Sequence, residues 1–233
     1  MLVHKLEKRD FIVKQSRYTS TIVSHDLDGV NKSVYSDSRV NFKALHIAKE
    51  LKKELLFYLD RFDFAESQTV EYNYLNEDFL LGNYVKIDIK SAYLNTLNQT
   101  GVISEHVYNK INSLPKKDRL VTLGMLAYEP DIFHFEKGQF KSFETIRNEY
   151  KKIFKYCALM TGELMKMIAL ELGNDFVFFW VDGIYVLNVS NSVNKACEMI
   201  EAAGYKYTID ILTDFYYEKK EEGIYFSYKE KGL

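Results

Sequence analysis

Two aspartates in strand-forming stretches are the residues of this chain best suited to chemistry. Asp88 ends an alternation of apolar and polar residues over 85–89, which is typical of a half-buried strand. Asp182 lies between the apolar runs of 176–189, and Asp-Gly in that setting predicts a β-hairpin with Asp182 at its tip and both loop positions at positive φ. Carboxylates brought close together on neighbouring strands repel each other, so such a pair needs either a divalent cation or a raised pKa. If a cation is bound, ligands that are all oxygen favour Mg²⁺ or Mn²⁺. Taken singly, each aspartate has an ordinary turn or cap as its alternative role.

The residues around the two aspartates resemble motifs of the family B DNA polymerases. The stretch 88–93, Asp-Ile-Lys-Ser-Ala-Tyr, is similar to motif A, Asp-x-x-Ser-Leu-Tyr-Pro. The stretch 182–186, Asp-Gly-Ile-Tyr-Val, is similar to the second half of motif C, Asp-Thr-Asp-Ser-Val-Tyr-Val. Leu94 replaces the proline of motif A, and Trp180 stands where motif C has its first aspartate. The Lys-x-x-x-Asn-Ser-x-Tyr-Gly motif of the family is not recognisable.

The resemblance implies a fold class and a division of the chain. The expected fold is α+β, with a polymerase palm-like central antiparallel sheet, helices packed on one face, reduced fingers and no exonuclease lobe. Residues 1–83 would form an N-terminal arm, helix and strand. Residues 84–233 would form the palm-like catalytic core, with a reduced fingers helix at 142–172.

The resemblance also implies roles for four residues near the aspartate motifs. Asp88 and Asp182 would be the catalytic residues and the ligands of Mg²⁺ or Mn²⁺. Ser91 and Tyr93 would lie where the phosphates and sugar of the incoming nucleotide rest. The Tyr93 ring would act as a gate against a ribose 2′-hydroxyl.

Cationic residues supply the other predicted contacts with nucleotide and nucleic acid. Arg147, Lys151 and Lys155 are spaced four apart on the predicted helix and would grip a triphosphate, as the fingers helix does in the polymerases. A solvated charged face is the alternative. Lys219 and Lys220 would touch the primer strand, although their flanking glutamates also suit an ordinary polar loop.

The remaining elements are predicted from periodicity and turn residues. They are a helix at 41–63, a strand at 70–75, a helix from the motif A strand to about Asn98, strands at 120–128 and 132–135, a helix at 191–203, and a hairpin of 205–217 with 223–228. Glu129 is a candidate third acid facing the metal.

Composition limits the classes to which the chain can belong. Its 233 residues suit one domain or one domain with a small lobe, and 47% hydrophobic residues can bury a core. A net charge of −2 is not that of a stand-alone nucleic-acid binder, so contacts must come from local patches. The sequence has neither an apolar run for a membrane helix nor a recognisable signal peptide. Cys157 and Cys197 are outside metal-ligand spacings and predict two buried thiols in a reduced, cytoplasmic setting.

The predicted function is that of a minimal palm-type nucleotidyltransferase, a DNA polymerase or primase-like enzyme of the phage or mobile-element kind. It would add nucleotides to a 3′-hydroxyl by two-metal phosphoryl transfer, with a (d)NTP and a DNA or RNA primer-template as partners. A helicase or another replication protein would supply the grip that a thumb normally gives. One alternative is a non-catalytic, palm-derived module for nucleic-acid binding or replisome assembly. Another is an unrelated α+β domain in which both motifs arise by chance.

Overall fold

A computed structural model of the chain describes residues 10–15, 19–26, 29–36, 41–220 and 223–232. These residues form a mixed α+β fold with two antiparallel sheets, which confirms the predicted class at that level. Within them no helix is long and apolar enough to cross a membrane. Both cysteines are free and buried, as predicted.

The strands and helices are numbered here in chain order. The strands are β1 (Phe11–Gln15), β2 (Thr19–Asp26), β3 (Gly29–Ser36), β4 (Asn73–Leu75), β5 (Tyr84–Ile89), β6 (Asp131–Glu136), β7 (Gln139–Thr145), β8 (Phe176–Trp180), β9 (Gly183–Leu187), β10 (Tyr207–Lys220) and β11 (Gly223–Gly232). The helices are α1 (Phe42–Leu55), α2 (Asp63–Ser67), α3 (Ala92–Gln99), α4 (Glu105–Asn112), α5 (Lys116–Ala127), α6 (Lys151–Leu172) and α7 (Ser190–Ala202), and 3₁₀ turns follow α1 and α6.

The chain divides into two compact units, each made of two segments. The first unit comprises Met1–Arg61 and Ile103–Phe154, and the second comprises Phe62–Val102 and Lys155–Leu233. The division predicted at residue 84 concerns function, and it stays a prediction.

The first unit combines an antiparallel sheet with helices α1, α4 and α5. Its described strands are ordered β3-β2-β1-β6-β7. The Phe11 and Phe135 rings stack across β1 and β6, with centroids 4.5 Å apart. Asn41 caps α1 by accepting from the Lys43 amide, and its side-chain amide donates to Asp118 of α5. The cap and the cross-helix bond fix the start of α1 against α5.

The second unit contains the sheet that carries both aspartates. Its described strands are all antiparallel in the order β11-β10-β5-β9-β8-β4. Alternation along β5 sends Ile87 and Ile89 to a face covered by α3, α6 and α7, in one buried cluster with Met165 and Ile200. Since side chains alternate along a strand, Lys86 and Asp88 point to the opposite face.

That opposite face is apolar at one end only. Tyr84, Tyr185 and Leu212 form a second buried cluster there, and aromatic residues such as Phe215 and Phe226 pack on it. Lys86 lies opposite Tyr185, at the edge of this cluster, and the row of Asp88 lies beyond it, toward the hairpin turn between β8 and β9. The polar end of the face is therefore where chemistry can take place.

The predicted helix at 142–172 is wrong in its first part. Residues 139–145 form β7, which pairs with β6 through a turn at Lys137 and Gly138, where φ is 48° and 81°. The helix itself is Lys151–Leu172. Asn148 fixes its start, because the side-chain amide of Asn148 donates to the carbonyls of Leu126 and Tyr128 and its oxygen accepts from the Tyr150 amide.

The predicted strand at 120–128 is also wrong, since these residues belong largely to α5. Thr122 is fully buried, and its hydroxyl donates to the carbonyls of Asp118 and Ala44. A β-branched residue here satisfies its hydroxyl inside the helix and packs on α1. Tertiary packing therefore overrides the strand preference of this stretch.

The other predicted elements are confirmed with shifted ends. The helix at 41–63 is α1 with its 3₁₀ continuation, the strand at 70–75 shortens to β4, and the strand at 132–135 lies within β6. The helix predicted after the motif A strand and the one at 191–203 correspond to α3 and α7, and the last hairpin to β10 with β11.

Candidate active site

Backbone pairing brings Asp88 and Asp182 together. Strands β5 and β9 are antiparallel, with Asp88 directly opposite Gly183, the neighbour of Asp182. The Ile89 amide donates to the Asp182 carbonyl across 2.9 Å. The backbones at the two positions are therefore adjacent. The meeting of the two carboxyls over one cation, and their catalytic role, stay predictions.

The hairpin turn differs from the predicted one by a residue. Trp180 pairs with Gly183, so the two loop residues are Val181 and Asp182 rather than Asp182 and Gly183. Val181 takes the left-handed conformation, with φ of 56°, and its amide donates to the Tyr72 carbonyl across 2.7 Å. This conformation costs a β-branched residue on the order of 1–3 kcal/mol, and such strain is often found at functional sites.

Gly183 forms the floor beneath Asp88. A Cβ placed on Gly183 would lie 3.1 Å from Asp88 Oδ1 and 3.3 Å from Lys86 Cε. The Asp88 carboxylate and the Lys86 stem therefore occupy the space that any other residue at position 183 would fill. This close approach, and not the turn, accounts for a glycine at this position.

Lys86 is a residue of this site that the sequence analysis missed. Its Nζ lies 3.7 Å from Asp88 Oδ1, with side-chain exposures of 19% for Lys86 and 26% for Asp88. The strand alternation carried the signal, because residues two apart in a strand share a face. The site thus contains one cation among its acids.

Strand β10 borders the site on the other side. Thr208 lies opposite Asp88, and Asp210 lies opposite Lys86. Directly opposed residues of an antiparallel pair point to the same face. Asp88 on the same strand and Asp210 on the neighbouring strand therefore lie on the face of the sheet that carries Lys86.

Motif A continues into α3 through a strained residue. Ser91 is left-handed, with φ of 51° and ψ of 45°, and its carbonyl accepts from the Asn95 amide. Two non-glycine residues in left-handed conformation, Ser91 and Val181, therefore flank the acid pair on either strand.

Tyr93 packs against the helix-covered face of the sheet. Burial raises the pKa of its hydroxyl, and the negative charge of Asp182 adds to that effect. The hydroxyl is therefore protonated and lies within electrostatic reach of Asp182. Its predicted contact with a nucleotide sugar, like that of Ser91 with phosphates, stays a prediction.

The predicted cationic row is wrong in its geometry. Arg147 precedes α6, where its guanidinium pairs with Glu149 at 3.3 Å, so it shares no helix face with the two lysines. Lys151 pairs with Glu129 at 2.5 Å, and Lys155 donates to the Glu66 carbonyl across 2.6 Å. Arg147 and Lys151 belong to the first unit, and Lys155 belongs to the second.

Two further sequence predictions have these outcomes. Glu129 belongs to the first unit and pairs with Lys151. The hydrogen bond from Lys151 lowers the pKa of the Glu129 carboxyl.

The backbones of Lys219 and Lys220 form the end of β10, and their side chains lie outside the described part of the structure. Their contact with a primer strand stays a prediction.

The donor chemistry of the acid pair fits a hard divalent cation. The carboxylates of Asp88, near the end of β5, and Asp182, in the turn before β9, are of the kind that Mg²⁺ and Mn²⁺ take as oxygen ligands. Within the described residues no group of three or more His, Cys, Asp or Glu side chains is assembled to hold a metal. An ion here would take only a few protein ligands, as magnesium does at nucleotide sites, where phosphates and waters complete the shell.

Comparison with protein-family models, with curated proteins and with solved structures found no match to this chain.

Proposed function

We propose that this protein is a minimal palm-type nucleotidyltransferase, of the DNA polymerase or primase type, that adds nucleotides to a 3′-hydroxyl. The observation that carries the proposal is the backbone adjacency of Asp88, in β5, and Asp182, in the turn that leads into the neighbouring strand β9. Helices cover the face of this sheet opposite to Asp88, as expected for the palm-like fold predicted from the sequence. The stretches that resemble motif A and motif C are neighbours in this sheet, which supports the proposal.

The residues of the site have distinct tasks in this reaction. Asp88 and Asp182 would hold Mg²⁺ or Mn²⁺, which supplies activation of the 3′-hydroxyl and charge neutralisation on the triphosphate when bound. Gly183 keeps space for the Asp88 carboxylate, and Lys86 adds positive charge beside it. Phosphoryl transfer asks for positioning and electrostatic stabilisation more than for covalent chemistry, and this small set of groups suits that demand.

Trp180 is placed to contact a base. It is 62% exposed and lies in the same cross-strand row as Gly183 and Asp88. Exposed indole rings stack on bases with little sequence preference. We propose that a nucleobase stacks on Trp180 while the phosphates lie toward the acid pair.

The expected partners are a (d)NTP and a DNA or RNA primer-template. A helicase or another replication protein would supply grip on the duplex. The two free, buried thiols suit a cytoplasmic setting.

Nucleotide incorporation tests the proposal. Labelled deoxynucleotides or ribonucleotides are supplied with a primed template and Mg²⁺ or Mn²⁺. Asp88→Asn and Asp182→Asn should each lower the incorporation rate by about a hundredfold or more, since loss of a metal ligand removes several kcal/mol of transition-state stabilisation. Asp78→Asn is the matched control, because Asp78 is an exposed turn residue of the same unit. Wild-type rates in either site variant would contradict the proposal.

The alternative function is a non-catalytic nucleic-acid-binding or replisome assembly module. The observation that favours it is Trp180, which occupies the place of the first motif C acid and is exposed for stacking. A rise in melting temperature with single-stranded DNA, and none with Mn²⁺ plus nucleotide, would select this alternative. The reverse pattern would select the enzyme.

A further inference from the structure

We propose that Lys86 is a built-in counter-cation of the acid pair, which weakens divalent-ion binding until a nucleotide brings further negative charge. The identity of the nucleotide rests on the proposed function. The position of Lys86 rests on the geometry of the sheet alone.

The Lys86 side chain leans toward the hairpin turn. Its backbone lies opposite Tyr185, yet its Cε lies 3.3 Å from where a Cβ of Gly183 would be, two residues nearer the turn. Its Nζ is 3.7 Å from Asp88 Oδ1. The lysine stem therefore runs along the sheet surface, over Gly183, and carries its charge to the Asp88 carboxylate.

Solvent screens this charge only in part. The Lys86 side chain is 19% exposed and the Asp88 side chain 26%. Charges that are partly buried interact more strongly than those on an open surface, and salt screens them less. An ammonium at this distance therefore lowers the attraction of the site for any second cation.

The formal charges give the direction of the effect. The ammonium of Lys86 offsets the negative charge of the Asp88 carboxylate beside it. A divalent ion arriving alone therefore meets a carboxylate that already has a cation next to it. A triphosphate arriving with the ion adds its own oxygens and charge, so ion and nucleotide should bind together rather than in sequence. Lys86 would thus make metal binding depend on nucleotide.

The test measures Mn²⁺ affinity by calorimetry on the full chain without nucleotide. Lys86→Met keeps much of the apolar stem and removes the charge, so it should bind Mn²⁺ about tenfold more tightly than wild type, or bind where wild type does not. Lys86→Arg keeps the charge and should behave like wild type. With a non-hydrolysable nucleoside triphosphate present, wild type and Lys86→Met should differ by less than about threefold.

Two results would overturn the inference. One is equal Mn²⁺ affinity for wild type and Lys86→Met, with circular dichroism showing that both are folded. The other is the absence of Mn²⁺ binding in both proteins up to millimolar concentrations, because Lys86 would then not be what keeps the ion out.

Failure of the inference can be told apart from failure of the proposed function. Incorporation that requires Asp88, with Mn²⁺ affinity unchanged by Lys86→Met, rejects only the counter-cation role. Tighter Mn²⁺ binding by Lys86→Met that is lost on adding Asp88→Asn, in a chain with no incorporation activity, rejects only the nucleotidyltransferase.

Discussion

Gly183 gives a sharp test of the site because a single methyl group would enter the space of Asp88. Gly183→Ala places a Cβ 3.1 Å from Asp88 Oδ1, tighter than most real contacts, with the Trp180 carbonyl 3.7 Å away. The carboxylate must shift by a few tenths of an ångström, and the fold should survive. We expect Mn²⁺-dependent incorporation to fall by about ten- to a hundredfold, since misplacement of this order weakens catalysis strongly.

Gly82→Ala is the matched control for this change. Its Cβ would meet only the Leu187 side chain, with Cδ1 at 2.6 Å, in the same unit and away from the acids. A comparable loss of incorporation in both variants would mean that general packing, and not the position of Asp88, explains the effect of Gly183→Ala.

At the residue scale, the sequence predicted the acid pair but not its surroundings. Strand alternation around Asp88 and the hairpin at Asp182 were sufficient to bring the two positions together. The same alternation contained Lys86, which lies two residues before Asp88 and so faces the same way. The role of Gly183 was not predictable, because turn preferences depend on neighbouring residues in the chain, whereas the Asp88 side chain over Gly183 comes from another strand.

At the scale of elements, α6 is tightly coupled to the hairpin turn through a short stretch before β4. A Cβ on Gly162 of α6 would lie 2.7 Å from the Glu71 carbonyl oxygen. The next residue, Tyr72, accepts the Val181 amide at the turn that carries Asp182. The connecting stretch therefore contacts the helix at Glu71 and the turn at Tyr72.

Gly162→Ala should destabilise the second unit by about 1–3 kcal/mol, because a backbone atom must give way to the new methyl group. Chemical denaturation followed by circular dichroism measures this loss. The displaced stretch should also shift the turn, so incorporation should fall by more than stability alone explains.

Lys166→Ala is the control for Gly162→Ala. It removes an exposed ion pair to the same Glu71, at 3.3 Å, and leaves the backbone contact intact. Exposed pairs contribute about 0–1 kcal/mol, so the loss of stability should be small. A fully stable Gly162→Ala protein would contradict the coupling between α6 and the turn.

Helices and strands were predicted correctly where the periodicity of the sequence agreed with the strand pairing in the fold. The stretch 142–145 misled the prediction, because Phe143, Ile146 and Tyr150 recur at three- and four-residue steps as on a helix. In the fold, Phe143 instead stacks near Phe133 of β6, with ring centroids 6.1 Å apart. The strand depends on its partner β6, and a single-segment pattern cannot reveal that partner.

At the scale of the whole molecule, buried tyrosine hydroxyls and a buried thiol make the stability of the second unit decrease at high pH. Burial raises the pKa of Tyr93, Tyr205 and Cys157 above their ordinary values of 10.0, 10.0 and 9.0. The native state keeps these protons at a pH where the unfolded chain loses them. Their contribution to stability is complete below the unfolded pKa and is lost as the pH rises toward the folded pKa.

The melting temperature should therefore stay level from about pH 7 to 8.5 and fall from about pH 9 upward. Thermal unfolding followed by circular dichroism measures it, with tyrosinate absorbance reporting ionisation. Replacing both Cys157 and Cys197 by alanine should delay the start of the fall toward about pH 10, because it removes the two buried thiols, whose unfolded pKa is the lowest among the groups raised by burial. A melting temperature that is unchanged up to about pH 11 would contradict this prediction.

The α+β class of the whole molecule was predictable, whereas its grouping into two units was not. The motifs divide the chain at residue 84, but each compact unit draws on two separate segments. Contacts between segments far apart in sequence decide that grouping, and neither composition nor periodicity records them.

The position of Trp180 has a practical consequence. The chain has a single tryptophan, and that residue is 62% exposed in the row that contains Gly183 and Asp88. Indole fluorescence from the unlabelled protein therefore originates beside the acid pair alone. Quenching by a stacked base would report occupancy of this location directly, in an optical titration that needs neither a dye nor turnover.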